Sequence, residues 1–296
     1  MRIILTGSSG RVGRAIFNAL ATRHEVIGID RTPFSTTRIV ADFADVDRLT
    51  DLMQGADAVV HTAALHAPHV GLVPDTEFQR VNVEGTERVI QAARKCSVRR
   101  LVFTSTTALF GKTLDEGAAA WVTDETEPQP RTIYHRTKLA AEALLRQTAD
   151  EQFAVRVLRM SRSFPEPADR MALYRLTRGV DVRDVADAHV AALTNGGPVY
   201  QNYIISGATP FRKEDCPALA TDPAAVVRER APALMKAFHR RGWSLPASID
   251  RVYVSARAEE ALGWRPRYGF DEVLAQLDRN SLEVLPVVGS EEPGEE

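Results

Sequence analysis

A doubly wound α/β fold with a parallel sheet and a smaller C-terminal segment is predicted by three observations. Short aliphatic runs alternate with helical stretches through the first half of the chain, a glycine-rich turn joins the first strand to the first helix, and the texture changes after about residue 160. Consecutive parallel strands need crossover connections, and helical crossovers cover both faces of the sheet.

The elements follow in order. Ile3–Leu5, Glu25–Ile29, Ala58–His61, Arg100–Thr104 and Ala154–Leu158 read as strands, each short and followed by turn-forming residues. Between them Arg14–Ala21, Asp47–Met53, Gly85–Lys95 and Tyr134–Thr148 carry helical periodicity, and a short third strand precedes Asp42. Asp181–Leu193 reads as a later helix and Tyr203–Ser206 as a strand returning to the sheet. From Gly207 to Ser248 prolines are scattered among short helical pieces, including Ala224–His239, as expected of a segment laid over the carboxyl edge of the sheet. Trp243, Tyr253 and Trp264 are expected in the core of that segment, and His61 is expected to be buried at its strand end.

The glycines give the first chemistry. Met1-Arg-Ile-Ile-Leu-Thr6 breaks into Gly7-Ser-Ser-Gly10-Arg-Val-Gly13. Glycines at these three places allow a tight turn, close approach of the backbone to a pyrophosphate, and close packing of helix on strand. The helix N-terminus adds free N–H groups and a positive dipole end. Asp30, 17 residues after Gly13, can accept hydrogen bonds from ribose hydroxyls and would repel a 2′-phosphate, which favours NAD over NADP. Arg31 beside it is the alternative anchor, for that phosphate. Asp42 and Phe43 either flank an adenine or cap a helix.

Composition narrows the class. With 296 residues, 44% hydrophobic and 26% charged, the chain has room for one large core and a small appendage. A net charge of -2 gives no electrostatic reason to expect nucleic acid or an anionic membrane as partner. No run is long and apolar enough for a membrane span, and the N-terminus does not resemble a signal peptide. Cys96 and Cys216 belong to no metal-ligand spacing, so no metal is expected. A soluble cytoplasmic protein is the expectation.

Tyr134 and Lys138 stand four residues apart on one helix and share a face. A nearby ammonium favours the phenolate and is expected to draw the tyrosine pKa down from about 10 towards the working range. Such a pair passes a proton to or from a substrate hydroxyl while hydride moves to a nicotinamide. The strand Leu101–Thr106 ends in hydroxyls at the carboxyl edge of the sheet, where one can bind the reacting oxygen or merely satisfy the backbone.

Taken together, these motifs resemble the extended short-chain dehydrogenases/reductases of the NAD-dependent epimerase/dehydratase family. The matching pieces are Thr6-Gly-x-x-Gly-x-x-Gly13, Asp30, Asp57-Ala-Val-Val-His61-Thr-Ala-Ala64, Asn82-Val-x-Gly85-Thr86, Ser105-Thr106 and Tyr134-x-x-x-Lys138, then Asp181-Val-x-Asp184-Val-Ala186 and Leu262-Gly-Trp-Arg-Pro266. They span about nine-tenths of the chain in the family's order. The resemblance implies a Rossmann domain over residues 1–165, its sheet completed by about 180–206, and a small substrate-binding segment over 166–180 and 207–283. Residues 284–296, ending Glu-Glu-Pro-Gly-Glu-Glu, are expected to be a disordered tail. It also implies an acid/base role for Tyr134, contact of Lys138 with the nicotinamide ribose, and Thr106 as hydroxyl helper, with Ser105 second. The implied cofactor set is Gly7, Ser9, Gly10, Arg11, Val12, Gly13, Asp30, Arg31, Asp42, Phe43, Thr62, Ala63, Ala64, Asn82, Thr104, Tyr134 and Lys138. A homodimer through the helices 85–95 and 134–148 is usual in the family, with Val89, Ala93, Ala140 and Leu144 as candidate apolar stripe.

Departures bear on the substrate. Phe110 stands where the family often has tyrosine, and Met160-Ser-Arg-Ser163-Phe-Pro165 lacks the usual asparagine. Only about fifteen residues separate Pro165 from Asp181, where nucleotide-sugar epimerases carry a longer insertion. Pro165-Glu-Pro-Ala-Asp-Arg170-Met171 instead resembles the corresponding loop of hexuronate dehydrogenases, which makes Arg170 the candidate for an acidic group on the substrate. Thr107 and Ala108 depart from that subgroup, so its substrate does not transfer. His66, His69, Ser105, Thr106, Thr107, Ser163 and Arg170 complete the expected substrate side. The chain therefore reads as an NAD-dependent oxidoreductase of a secondary alcohol or hemiacetal in a polar, sugar-like molecule. A nucleotide-sugar epimerase or dehydratase with transiently reduced NAD is the alternative. A non-catalytic cofactor sensor is a third reading, against which the intact Thr106, Tyr134 and Lys138 argue.

Overall fold

The computed structural model describes residues 1–44, 46–111 and 118–287. Its strands are β1 (Arg2–Thr6), β2 (Glu25–Asp30), β3 (Ile39–Val40), β4 (Ala58–His61), β5 (Arg100–Thr106), β6 (Ala120–Val122), β7 (Ala154–Met160), β8 (Tyr200–Ile205) and β9 (Arg251–Tyr253). Seven of them form one sheet in the order β3-β2-β1-β4-β5-β7-β8, and every pairing is parallel. The chain winds outward from β1 in one direction and from β4 in the other. The crevice at that switch point is where such sheets bind ligands. β6 and β9 pair separately, in parallel, beyond the carboxyl edge.

The helices are α1 (Arg11–Leu20), α2 (Val46–Met53), α3 (Asp75–Phe78), α4 (Gly85–Lys95), α5 (Ile133–Thr148), α6 (Ala168–Thr177), α7 (Val182–Thr194), α8 (Cys216–Thr221), α9 (Pro223–Arg230), α10 (Pro232–Arg240), α11 (Ala256–Leu262) and α12 (Phe270–Asp278). Period-two alternation divides the strand side chains between two cores. Ile4, Val59, Leu101 and Val155 meet Leu49, Ile90 and Leu145 of α2, α4 and α5 on one face. Ile3, Leu5, Val60 and Val102 meet Ile16, Val185 and Ala258 of α1, α7 and α11 on the other. A third core holds Met171, Leu219, Leu234, Val252 and Val273 from the segment that covers the carboxyl edge.

The fold corrects several expectations. α1 begins at Arg11, three residues earlier than expected, with Gly10 as an extended N-cap. The helix expected over 224–239 breaks in two, because Pro232 forces Ala231 out of the helical region (φ −135°, ψ 58°). The expected tail begins too early: Val284 is buried in the third core, and Leu285 exchanges backbone hydrogen bonds with Glu166 and Ala168. Residues 288–296 lie outside the described residues. Trp264 belongs to the core beneath α7, where its indole N–H donates to the Asp184 carbonyl (2.9 Å), so of the three aromatic residues Trp243 alone packs on the small core. Tyr253 packs with Phe110 at the edge of the cleft. Val89 and Ala93 are fully buried inside their own subunit and cannot form a dimer stripe. The outward row of α4 carries Glu87, Gln91 and Arg94 instead. Among the described residues no helix is long and apolar enough to cross a membrane.

Candidate active site

A cleft of about 560 Å³ opens at the switch point, over the carboxyl ends of β1, β4, β5 and β7. Its floor at one end is the glycine turn. Gly7 has φ +76°, which favours glycine, and a Cβ there would fall 2.6 Å from the Ala63 nitrogen. A Cβ on Gly13 would fall 2.0 Å from the Gly7 carbonyl oxygen, so α1 packs directly on the turn. At Gly10 a Cβ would meet only the Gly7 oxygen, at 3.4 Å, leaving the backbone open to the cleft. The first-turn amides of α1 have no carbonyl four residues back within the helix. An exposed backbone cradle with free amides and a positive dipole end is the donor set that a pyrophosphate requires, and the residues fit a dinucleotide.

The rest of this half is mixed. Arg11, Val12, Asp30, Arg31, Phe43, Thr62, Ala63, Ala64 and Thr104 line the cleft as expected. Asp30 accepts from the amides of Ser9 (3.1 Å) and Thr32 (2.9 Å), which fixes its carboxylate at the rim with lone pairs to spare. Ser9 does not line the cleft; its hydroxyl bonds Thr32 and Thr37. Asp42 is also turned away, accepting from the Ala44 amide and from Arg80. Asn82 is buried in a wide helical turn over Gln79–Glu84, where its amide clamps both backbone groups of Leu65 and reaches Thr137. It holds the loop after β4 rather than a ligand. His61 is buried, between the hydroxyls of Thr6 (2.6 Å) and Thr86 (3.1 Å).

Thr106, Tyr134 and Lys138 converge in the middle of the cleft. Thr106 ends β5, accepts from the Ala108 amide (3.1 Å) and lines the cleft beside Tyr134. Tyr134 enters on the first turn of α5, which Thr132 caps by accepting from the His135 amide. Lys138, one turn on, is buried and donates to the Thr104 carbonyl oxygen at 2.6 Å. Burial pushes the Tyr134 hydroxyl up to about 12, against the opposing influence of the neighbouring Thr106 hydroxyl. Burial also lowers Lys138 to about 7, with the Glu142 carboxylate resisting. The expected lowering of the tyrosine by the lysine is thus absent here: the ammonium is spent on a carbonyl, and loss of hydration dominates both groups. Ser105 is corrected too. It borders the cleft, but its hydroxyl is turned to Glu142 (2.5 Å), which pairs with Arg159 (2.7 Å).

The substrate half differs most from expectation. Thr107 and Ser163 border the cleft, and so does His66, whose ring stacks on Phe164 at 6.2 Å. His69 does not; its ring accepts from the His66 amide (3.1 Å) and shapes the loop. Arg170 is exposed on α6 and faces a second, smaller cleft of about 270 Å³. Besides Arg11 and Arg31, the guanidiniums that line the main cleft are Arg131, Arg162, Arg178 and Arg251, joined there by Tyr253. Residue spacing gave no signal for these, because they arrive from four separate elements. Among the described residues no group of three or more histidine, cysteine or carboxylate side chains could hold a metal ion.

Comparison with known proteins places this geometry in context. A family model described as NAD dependent epimerase/dehydratase family matches residues 3–170. The chain is 36% identical over 161 residues to an L-arabinose 1-dehydrogenase (NAD(P)(+)) of Haloferax volcanii, a match covering 50% of this chain and 61% of that protein. The chain spans about half the length of the curated relatives it matches. Among solved structures, MoeE5 in complex with UDP-glucuronic acid and NAD superposes with a TM-score of 0.68 at 22% identity, covering 95% of this chain and 100% of that one. A mutated uronate dehydrogenase gives 0.65 at 19% identity, covering 99% and 89%. At these identities the structures share the fold.

Proposed function

Because the chain belongs to the NAD dependent epimerase/dehydratase family, we propose that it is an NAD-dependent oxidoreductase. Its substrate in this reading is a secondary alcohol or hemiacetal of a polar, sugar-like molecule that carries an acidic group. The observation that carries the reading is the meeting of Thr106, Tyr134 and Lys138 in the crevice that also holds the glycine cradle and Asp30. NAD, when bound, exchanges a hydride with the substrate carbon. Gly7, Gly10, Val12 and Gly13 would hold its pyrophosphate and Asp30 its adenosine ribose. The chain's own part is proton chemistry at the substrate oxygen. The hydroxyls of Tyr134 and Thr106 both line the cleft and offer two donors to one oxygen. A phenol pushed up to about 12 keeps its proton at neutral pH and is the acid in the carbonyl-reducing direction; in the oxidising direction the same oxygen, as phenolate, takes the alcohol proton. Lys138, held to about 7, changes charge in the working range.

An epimerase of nucleotide sugars is the second reading, and α6 counts against it. That helix starts at Ala168, three residues after Pro165, which leaves no room for a long loop over a nucleotide diphosphate. A screen of sugars, sugar acids and sugar nucleotides that follows NADH absorbance separates the two. Net reduction of NAD supports the dehydrogenase, and conversion without net reduction supports the epimerase. In this reading residues 1–165 carry the cofactor and the small segment supplies the substrate side, in a cytoplasmic homodimer formed by the outer faces of α4 and α5. With Glu87, Gln91 and Arg94 on that face, the dimer should weaken with salt. A monomer mass by light scattering at micromolar concentration and low salt overturns the dimer.

A further inference from the structure

Four guanidiniums, of Arg131, Arg162, Arg178 and Arg251, line the cleft away from the glycine turn. Arg131 packs beside Gly111, whose carbonyl oxygen accepts from Arg251 (3.1 Å). Arg251 and Arg178 both pair with Asp250, at 2.9 and 2.8 Å. Arg178 also donates to the Tyr174 hydroxyl (3.0 Å) and lies 4.6 Å from that ring's centre, while Arg162 lies 5.7 Å from the same centre and pairs with Glu166 (2.7 Å). Among the described residues, two carboxylates therefore answer four guanidiniums. The pairings fix the guanidiniums in place without cancelling them. Side-chain exposure is only 12% for Arg251 and 29% for Arg178, so screening by water is incomplete.

Two further groups point the same way. Ser161 and Ser163 flank Arg162 and line the same cleft, and both are at least 95% buried. Neither hydroxyl has a hydrogen-bond partner. A buried hydroxyl without a partner costs stability unless a ligand completes it. Guanidinium forks beside spare hydroxyl donors match the acceptor-only oxygens of a carboxylate or a phosphate, and do not match a neutral polyol, which must donate as well as accept.

We infer that the arc formed by Arg162, Arg178 and Arg251, with Ser161 and Ser163, receives an oxyanion carried by the substrate. This rests on reading the cleft as the substrate site. The test is calorimetric titration of the full-length protein, with and without saturating NAD, using inorganic phosphate in one arm and malonate in the other. The arm that binds more tightly identifies the class of anion. Arg178→Gln and the more exposed Arg162→Gln should each weaken binding by about tenfold or more. Asp250→Asn removes the shared countercharge and should tighten binding several-fold, a gain that a merely structural role for Asp250 would not produce. Binding of neither anion to the wild type, or equal binding to the wild type and both arginine variants, overturns the inference. Because the titration needs no turnover, it is independent of the proposed reaction. That reaction fails separately, if NAD does not bind or if Tyr134→Phe retains activity.

Discussion

The ammonium of Lys138 lies 2.6 Å from the carbonyl oxygen of Thr104 and 3.8 Å from the centre of the Phe103 ring. A lysine set between one carbonyl and an aromatic face has lost most of its water, which is why it titrates near 7 instead of 10.5. Reduction of a carbonyl substrate should therefore slow as pH rises through about 7, where the ammonium loses its proton. Lys138→Met should lower turnover about a hundredfold and remove that limb of the pH–rate profile. A variant that keeps the limb would show that another group titrates there.

Tyr134→Phe removes the phenol that lines the cleft beside Thr106 and leaves the α5 cap intact. Turnover should fall by about two orders of magnitude or more while NAD affinity holds. Near-normal turnover in this variant would end the proton-transfer scheme.

Asp30 is pinned at the rim by two backbone amides, so its negative charge cannot swing away from a 2′-phosphate. NAD should bind at least about tenfold more tightly than NADP, and Asp30→Ala should erase most of that difference. Paired titrations decide it. A native preference for NADP would make Arg31, which also lines the cleft, the phosphate anchor.

Glu142 and Arg159 form a pair whose side chains are 3% and 6% exposed, against β5, where Glu142 also accepts from Ser105. Glu142→Gln would leave a buried guanidinium uncompensated and should destabilise the fold by about 3–5 kcal/mol. Urea unfolding reads this directly. A loss below about 1 kcal/mol would mean that Arg159 finds water or another partner.

Acid should loosen the protein through its buried histidines. Burial lowers His61 to about 3 and His189 to about 4. Below about 6.5 the unfolded chain gains protons at both sites that the folded chain refuses, so stability falls as pH drops towards 4. Asp124, raised by burial to about 6, works the other way below that pH and cancels one of the two. The net slope from these groups is about 1.4 kcal/mol per pH unit. His189→Gln should flatten it in equilibrium unfolding between pH 7 and 5. Parallel slopes in wild type and variant would exclude His189 as a source.

What was legible in the sequence is what sterics alone enforce. Gly7 and Gly13 have no room for a Cβ, and a buried parallel strand must be aliphatic on both faces, so the sheet and the cofactor half could be read from residue types. Tyr134 and Lys138 were legible because one helical turn dictates their shared face. The substrate half resisted for a different reason. Whether Arg162, Arg170 or Arg178 faces the cleft depends on where α6 begins and how it is rotated, and neither is written in local spacing. Val89 and Ala93 misled because α4 is packed against the sheet and α2, leaving only polar and charged residues outside. Tyr253 is buried as expected, in a small cluster with Phe110, Ala120 and Val122, but an aromatic residue beside a buried strand looks the same whether its hydroxyl is spare or, as here, donates to the Thr107 carbonyl at 3.2 Å.

Arg11 stands in the first turn after the glycines, yet it reaches across the cleft to the Ser163 carbonyl (2.8 Å) and forms an ion pair with Glu283, 272 residues away. Inheritance should register this tie. Among descendants of one ancestor, positions 11 and 283 are expected to drift as a couple, since losing either partner strands the other. Handling should register it as well: a chain trimmed before residue 281 would be felt at the nucleotide turn, far from the cut.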